Sequence, residues 1–193
     1  MKKRERLPSE ATSPFVLRHD LRPGDLGTLV FLHGTVYAKE YGLTVAFEAY
    51  VAATLAELVH SQTERDRLWI GERGGRIVGS IAIVGKSEAE AQLRWFFVDP
   101  SARGVGLGRQ LLRQALEFTE QVGYASVFLW TVDLLQAAAH LYCSAGFEKV
   151  EEKPGVPWGV PVIEQKYVLR MDSRPPGGPL LQPSRSRPQF RQG

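Results

Sequence analysis

Val98-Asp99-Pro100-Ser101-Ala102-Arg103-Gly104-Val105-Gly106-Leu107-Gly108-Arg109 is the stretch from which this 193-residue chain is read. An apolar run, Leu93 to Val98, ends in an Asp-Pro turn; three glycines on alternate positions follow, and an amphipathic helix begins. A glycine-rich loop that opens a helix offers unpaired backbone N–H groups at the positive end of the helix dipole. Bare of side chains, Gly104, Gly106 and Gly108 let a phosphate come close to the main chain, and Arg103 and Arg109 add positive charge. The loop reads as a site for a pyrophosphate-bearing cofactor.

Three cofactor patterns compete for it. A dinucleotide fold wants G-x-G-x-x-G directly after its strand; here the third glycine position is Arg109, and Pro100 lies among five residues separating strand from glycines. A P-loop wants G-x-x-x-x-G-K-[ST]. Gly85-Lys86-Ser87 fits its end, but Ser80 replaces the first glycine, and Ile81 to Val84 reads as strand. The third pattern, [Q/R]-x-x-G-x-[G/A], is met by Arg103, Gly106 and Gly108.

A second block strengthens that third reading: Ala138-Ala139-His140-Leu141-Tyr142-Cys143-Ser144-Ala145-Gly146-Phe147, a helix carrying a Tyr with a Gly-Phe exit. The two blocks in this order resemble the GNAT superfamily of acetyl-CoA-dependent N-acetyltransferases over roughly residues 14 to 172. More narrowly the chain resembles the acetyltransferase module often fused to MarR-type winged-helix regulators in bacteria. Thirteen residues precede the module here, so no winged helix is expected with it.

The resemblance implies an α/β fold: a GNAT-like single domain with a mixed central sheet of about six to seven strands flanked by about four helices. Periodicity alone gives a compatible order. A short strand, Phe15 to Arg18, precedes a helix from Asp25, a capping candidate, to Glu40 or Tyr41. A second helix follows Thr44, and a hairpin (Leu68 to Ile70, Ile77 to Val84) leads to strand Leu93 to Val98. Behind the glycine loop come a helix closed by Gly123, strand Val127 to Trp130 and helix Leu134 to Ala145. Strands Phe147 to Val150 and Ile163 to Leu169 complete the domain, joined through Pro154, Pro157 and Pro161.

Composition fits one domain, 14–172. The hydrophobic share of 44% is enough to fill a core. No apolar run approaches the ~20 residues of a membrane span, and the polar N-terminus lacks a signal-peptide core. The single Cys143 fits a reducing compartment, so a cytoplasmic location is expected. The net charge of +3 is uneven: residues 1–13 carry +2, residues 173–193 carry +4, and the domain between carries −3. With five prolines in its last 21 residues, the basic C-terminal segment reads as a disordered tail, and 1–13 as a flexible one. Neither a nucleic-acid nor a membrane partner is expected; a homodimer is compatible with the sequence.

What the resemblance implies for the site can be stated residue by residue. The pantetheine arm would enter a gap between the fourth and fifth strands and pair with the backbone of Phe96, Phe97 and Val98. Backbone N–H groups of Arg103, Gly104, Val105, Gly106, Leu107, Gly108 and Arg109 would cradle the pyrophosphate. Tyr142, four residues before Gly146, would protonate the departing thiolate. Tyr37, Glu40, Tyr41 and Glu48 lie where such proteins shape an acceptor pocket, and rings with carboxylates suit a cationic amine. Two departures stand out: Leu135 replaces an Asn many relatives carry, and Phe128, Leu129 and Trp130 offer no Glu base. The base stays open among Glu40, Glu48, Asp133 and a water chain, and Asp133 can equally cap the following helix. No histidine or cysteine shows metal-ligand spacing.

The expected activity is transfer of an acetyl group from the cosubstrate acetyl-CoA to a primary amine of a small molecule or protein, by direct attack in a ternary complex. A catalytically silent acyl-CoA-binding or regulatory domain is the alternative, and a scaffold whose basic tails dock on nucleic acid a third.

Overall fold

The computed structural model describes residues 14–171; the segments 1–13 and 173–193, read above as tails, lie outside the described residues. The elements run β1 (Val16–Arg18), α1 (Asp25–Tyr41), α2 (Val45–Ser61), β2 (Arg67–Arg73), β3 (Arg76–Gly85) and β4 (Glu90–Val98). A 3-10 turn, Pro100–Ala102, precedes α3 (Leu107–Val122), β5 (Ser126–Val132), α4 (Gln136–Ser144), β6 (Glu148–Gly155) and β7 (Val162–Arg170). All seven strands join one mixed sheet in the order β1-β2-β3-β4-β5-β7-β6. Only β4 and β5 run parallel.

Two apolar clusters cover opposite faces of this sheet. Leu111, Leu112, Ala115 and Leu116 of α3 pack with Ile81, Ile83 and Leu93. Leu29 of α1 and Val51, Leu55 and Leu58 of α2 pack with Leu68, Ile70 and Ala82. Strand β3 is buried without a break from Val78 to Ile83, as a strand covered on both sides must be. The seven strands and four helices match the architecture expected from the sequence.

Three local expectations are corrected. Asp25 does not cap α1; Gly24, in the left-handed region at φ 96°, holds the cap position. The Asp25 carboxylate instead forks onto buried Arg18 at 2.7 and 2.8 Å and accepts the Arg22 N–H. Asp133 does not cap α4 either; its Oδ1 accepts the Ile163 N–H at 2.9 Å and ties β5 to β7. Pro154 lies inside β6, opposite Ile163, and not in the connecting loop. β6 is an edge strand, where a missing N–H costs no ladder bond.

Two irregularities position the site. Across from β3, the pairing of β4 slips between Ser80 and Ala82, so Trp95 and Phe96 together face one residue. At this bulge Trp95 sits at φ 46°, the one non-glycine with positive φ among the described residues. Ser80 Oγ donates to the Trp95 carbonyl at 2.7 Å and fixes the bulge. Next to it, β4 pairs with β5 only from Glu90–Gln92 to Ser126–Phe128. β5 continues against β7 as far as Val132, while β4 turns away and leaves a gap.

Candidate active site

The gap opens into two cavities. The first, about 530 Å³, is lined by Phe96, Phe97 and Val98, by the glycine loop from Ala102 to Gly108 except Val105, by Leu135, and by Gln136 to Leu141 of α4 except Ala139. α1 contributes Tyr37 and Tyr41. Gly104 and Gly106 take φ of 77° and 92°, which L side chains rarely adopt. Added Cβ atoms there would meet nothing within 4 Å, so both glycines leave the loop's outer face open. Gly106 caps α3 with no side-chain bond, and the Gln110 N–H donates to the Gly106 carbonyl at 3.1 Å. The opening N–H groups of α3 thus face a cavity with no carboxylate in its lining, the right polarity for an anion.

Arg103 serves this loop in a different way from the expected direct charge. Its guanidinium forms a bidentate pair with Glu40 at 2.9 and 2.9 Å, and its Nε donates to the Val98 carbonyl at 3.1 Å. The Glu40 carboxylate holds the Arg103 guanidinium above its ordinary pKa. Arg103 therefore straps the loop to the last turn of α1, and its charge is already matched. The Phe96 carbonyl, on the stretch expected to meet the pantetheine arm, also has a protein partner, since the Tyr37 hydroxyl donates to it at 3.4 Å. Arg109 is exposed on α3 and does not line the cavity.

The second cavity, about 570 Å³, lies on the other side of the bulge. Its wall includes His33 and Tyr37 of α1, Phe47 and Tyr50 of α2, Gln92 to Phe96 of β4, and Trp130 to Val132 of β5. Trp158 closes one end; its carbonyl accepts both the N–H and the hydroxyl of Thr44, tying the β6–β7 loop to the turn before α2. Tyr37, Phe96 and Leu135 border both cavities. Leu135, noted in the sequence for what it replaces, stands at the junction.

Tyr142 lines the second cavity with 5% of its surface exposed. Its ring lies 5.7 Å from Phe96, 5.8 Å from Phe147 and 6.2 Å from Tyr167, so packing sets its position. Burial pushes the phenol well above its usual range, and it stays a proton donor at neutral pH.

Of the expected acceptor residues, Tyr37 faces both cavities and Tyr41 only the first. Glu40 is committed to Arg103, and Glu48 lines neither cavity, lying against Gly34 between the helices. The charged groups on the second cavity are instead Arg94, Lys153 and Glu164. Arg94 bonds the Tyr50 hydroxyl at 2.9 Å and stacks 4.4 Å from the Trp95 ring. Sequence reasoning missed these residues and gave His33 no role, although Leu29, His33, Tyr37 and Tyr41 fall on one helical stripe. Among the described residues no cluster of His, Cys, Asp or Glu could hold a metal ion, and no helix is long and apolar enough to cross a membrane.

With this geometry in view, comparison with known proteins is decisive for the family. Residues 34–147 match the acetyltransferase (GNAT) family. The chain belongs to that family. It is 30% identical over 168 residues to N-acetyltransferase family 8 member 2 of Rattus norvegicus, covering 75% of this chain and 74% of that protein. Against N-acetyltransferase family 8 member 3 of the same species it is 38% identical over 89 residues, 44% of this chain, and spans only 39% of that relative's length. The fold is shared with the structure of yncA from Salmonella typhimurium, solved with its cofactor acetyl-CoA: TM-score 0.63, 19% identity, 83% of this chain and 95% of that one.

Proposed function

We propose that this GNAT domain transfers an acetyl group from acetyl-CoA to a primary amine in a ternary complex. The observation that carries the reading is the pair of cavities meeting at Tyr37, Phe96 and Leu135, one under a bare helix N-terminus and the other holding Tyr142. The residues present fit acetyl-CoA. The N–H groups of Gly104 to Arg109 would hold its diphosphate, and the main chain of Phe96, Phe97 and Val98 would line its pantetheine arm. When bound, the cosubstrate supplies an activated acetyl thioester.

The chain's own groups do the rest. A backbone N–H aimed at the carbonyl oxygen is commonly worth a few kcal/mol of barrier. Tyr142 holds the proton that the departing sulfur needs. Tyr37 and Tyr41 would shield the reacting end from bulk water. The acceptor is an amine small or slender enough to enter the second cavity, either a free molecule or a protein terminus or side chain.

Isothermal titration with acetyl-CoA tests cofactor binding, and Gly106→Glu is the matched control. At φ 92° any side chain is strained, and a carboxylate there opposes the anion. Wild type should bind in the micromolar range, and the variant should lose more than about tenfold. A wild-type titration without heat ends the reading. Thiol release over an amine panel then separates enzyme from silent binder.

A further inference from the structure

Among the described residues, four buried side-chain polar atoms have no hydrogen-bond partner: His33 Nε2, Arg65 Nε, Trp95 Nε1 and Thr131 Oγ1. Three of the four belong to residues lining the second cavity. Buried polar atoms in folded proteins are nearly always paired, so three orphans around one cavity point to a polar molecule that belongs there.

His33 is the orphan whose chemistry can be read most directly. Its Nδ1 lies 2.8 Å from the Leu29 carbonyl, one turn back on α1. A carbonyl only accepts, so Nδ1 carries the hydrogen and Nε2 of the neutral ring is a bare lone pair. The ring is 2% exposed, nearly parallel to Tyr37 at 5.9 Å and packed on Phe97 at 5.0 Å, which fixes its direction. Burial pushes the ring down to about 4, so the lone pair is present throughout the neutral range. The titratable and charged side chains on the same cavity are Tyr37, Tyr50, Arg94, Tyr142, Lys153 and Glu164, from six different elements, and none of them pairs with His33.

Resting on the acetyl-transfer reading, we infer that His33 Nε2 accepts the N–H of the acceptor amine and takes its proton during transfer. In that transfer a C–N bond forms while the thioester C–S bond breaks. The nitrogen gives up one proton, to His33 Nε2, and the sulfur gains one, from the Tyr142 hydroxyl. The imidazolium then returns its proton to the phenolate, directly or through water. Amine and thioester become amide and thiol with no net change on the protein. This assigns the base to α1, away from the carboxylates considered from sequence, two of which already serve Arg103 and Ile163.

The test uses the full chain with glycine, L-phenylalanine, tyramine and spermidine as acceptors. His33→Phe keeps the ring stack and removes both nitrogens. It should lower kcat at least about a hundredfold while the acetyl-CoA Kd stays within about twofold. A second readout needs no variant: nitrogen NMR of the histidine-labelled protein. His33 is the one buried imidazole of the four, and burial keeps it neutral on mild acidification. Its bare-nitrogen signal should shift on titration with whichever amine the wild type acetylates. An H33F enzyme within threefold of wild type, or a signal unmoved at saturating amine, overturns the assignment. Failure of the acetyl-transfer reading shows separately, as wild-type protein that releases no thiol with any of the four.

Discussion

At the scale of single residues, buried side chains with one committed and one free atom tax the fold. His33 has an ordinary value of 6.5 and is held near 4 by burial. The unfolded chain therefore binds a proton that the folded one refuses as pH falls through that window, and stability drops with it. Between pH 7 and pH 5 the loss due to His33 should be about 2 kcal/mol. Denaturant melts of wild type and His33→Phe at the two pH values measure it, and an equal acid loss in both proteins would remove His33 as its source. Asp25 moves the other way. Burial pushes it up, but the Arg18 guanidinium and the Arg22 N–H outweigh burial and hold it below the usual carboxylate range. Its contribution is present above that range and is lost only at lower pH, outside the window tested. Tyr142→Phe keeps the ring that Phe96, Phe147 and Tyr167 pack against, so the fold and the acetyl-CoA Kd should hold while kcat falls about a hundredfold. Unchanged turnover would remove Tyr142 as the acid. The position of Tyr142, on a helix just before Gly146-Phe147, was legible in the sequence because a short block carries it. The partners of Asp25 and Asp133 were not, since local spacing suggests caps and both carboxylates found partners on other segments.

At the scale of elements, the glycine loop and the helix behind it were legible from three alternate glycines followed by a helical apolar stripe. The bulge in β4 was not. It depends on two residues facing one across a strand pair and on a Ser80 hydroxyl 15 residues away, and nothing in Leu93 to Val98 alone announces a positive φ at Trp95. The edge position of β6 was hidden in the same way, so Pro154 read as part of the connection to the last strand. How closely α3 approaches the sheet decides where its N-terminus points, and Gly79 permits that approach. A Cβ at Gly79 would come within 3.0 Å of Leu111, 3.1 Å of Leu107 and 3.1 Å of the Phe97 carbonyl. The leucine tips can shift, but the backbone oxygen cannot do so without disturbing β4. Gly79→Ala should cost about 1–3 kcal/mol and also weaken acetyl-CoA binding, because Leu107 opens the helix that would hold the diphosphate. Thermal melts and titration on the same sample check both; lost stability with unchanged affinity would separate packing from the site.

At the scale of the whole molecule, the order of chemical events follows from where the cavities meet. A double-displacement route needs a nucleophile that holds the acetyl group after the first product leaves. Neither cavity is lined by a cysteine or serine, and Cys143, the chain's one thiol, is exposed on α4 and lines neither. Both cavities share Tyr37, Phe96 and Leu135, so a thioester in one and an amine in the other could be in contact at once. Direct transfer across that junction, as proposed, predicts sequential kinetics. Double-reciprocal plots at several fixed amine concentrations should intersect, no acetylated protein should appear by mass spectrometry when acetyl-CoA is given alone, and Cys143→Ser should turn over like wild type. Parallel lines with an acetylated protein would mean that a side chain carries the group between two half-reactions. In that event the second cavity would no longer need to open onto the first, and the splay of β4 from β5 would need another explanation.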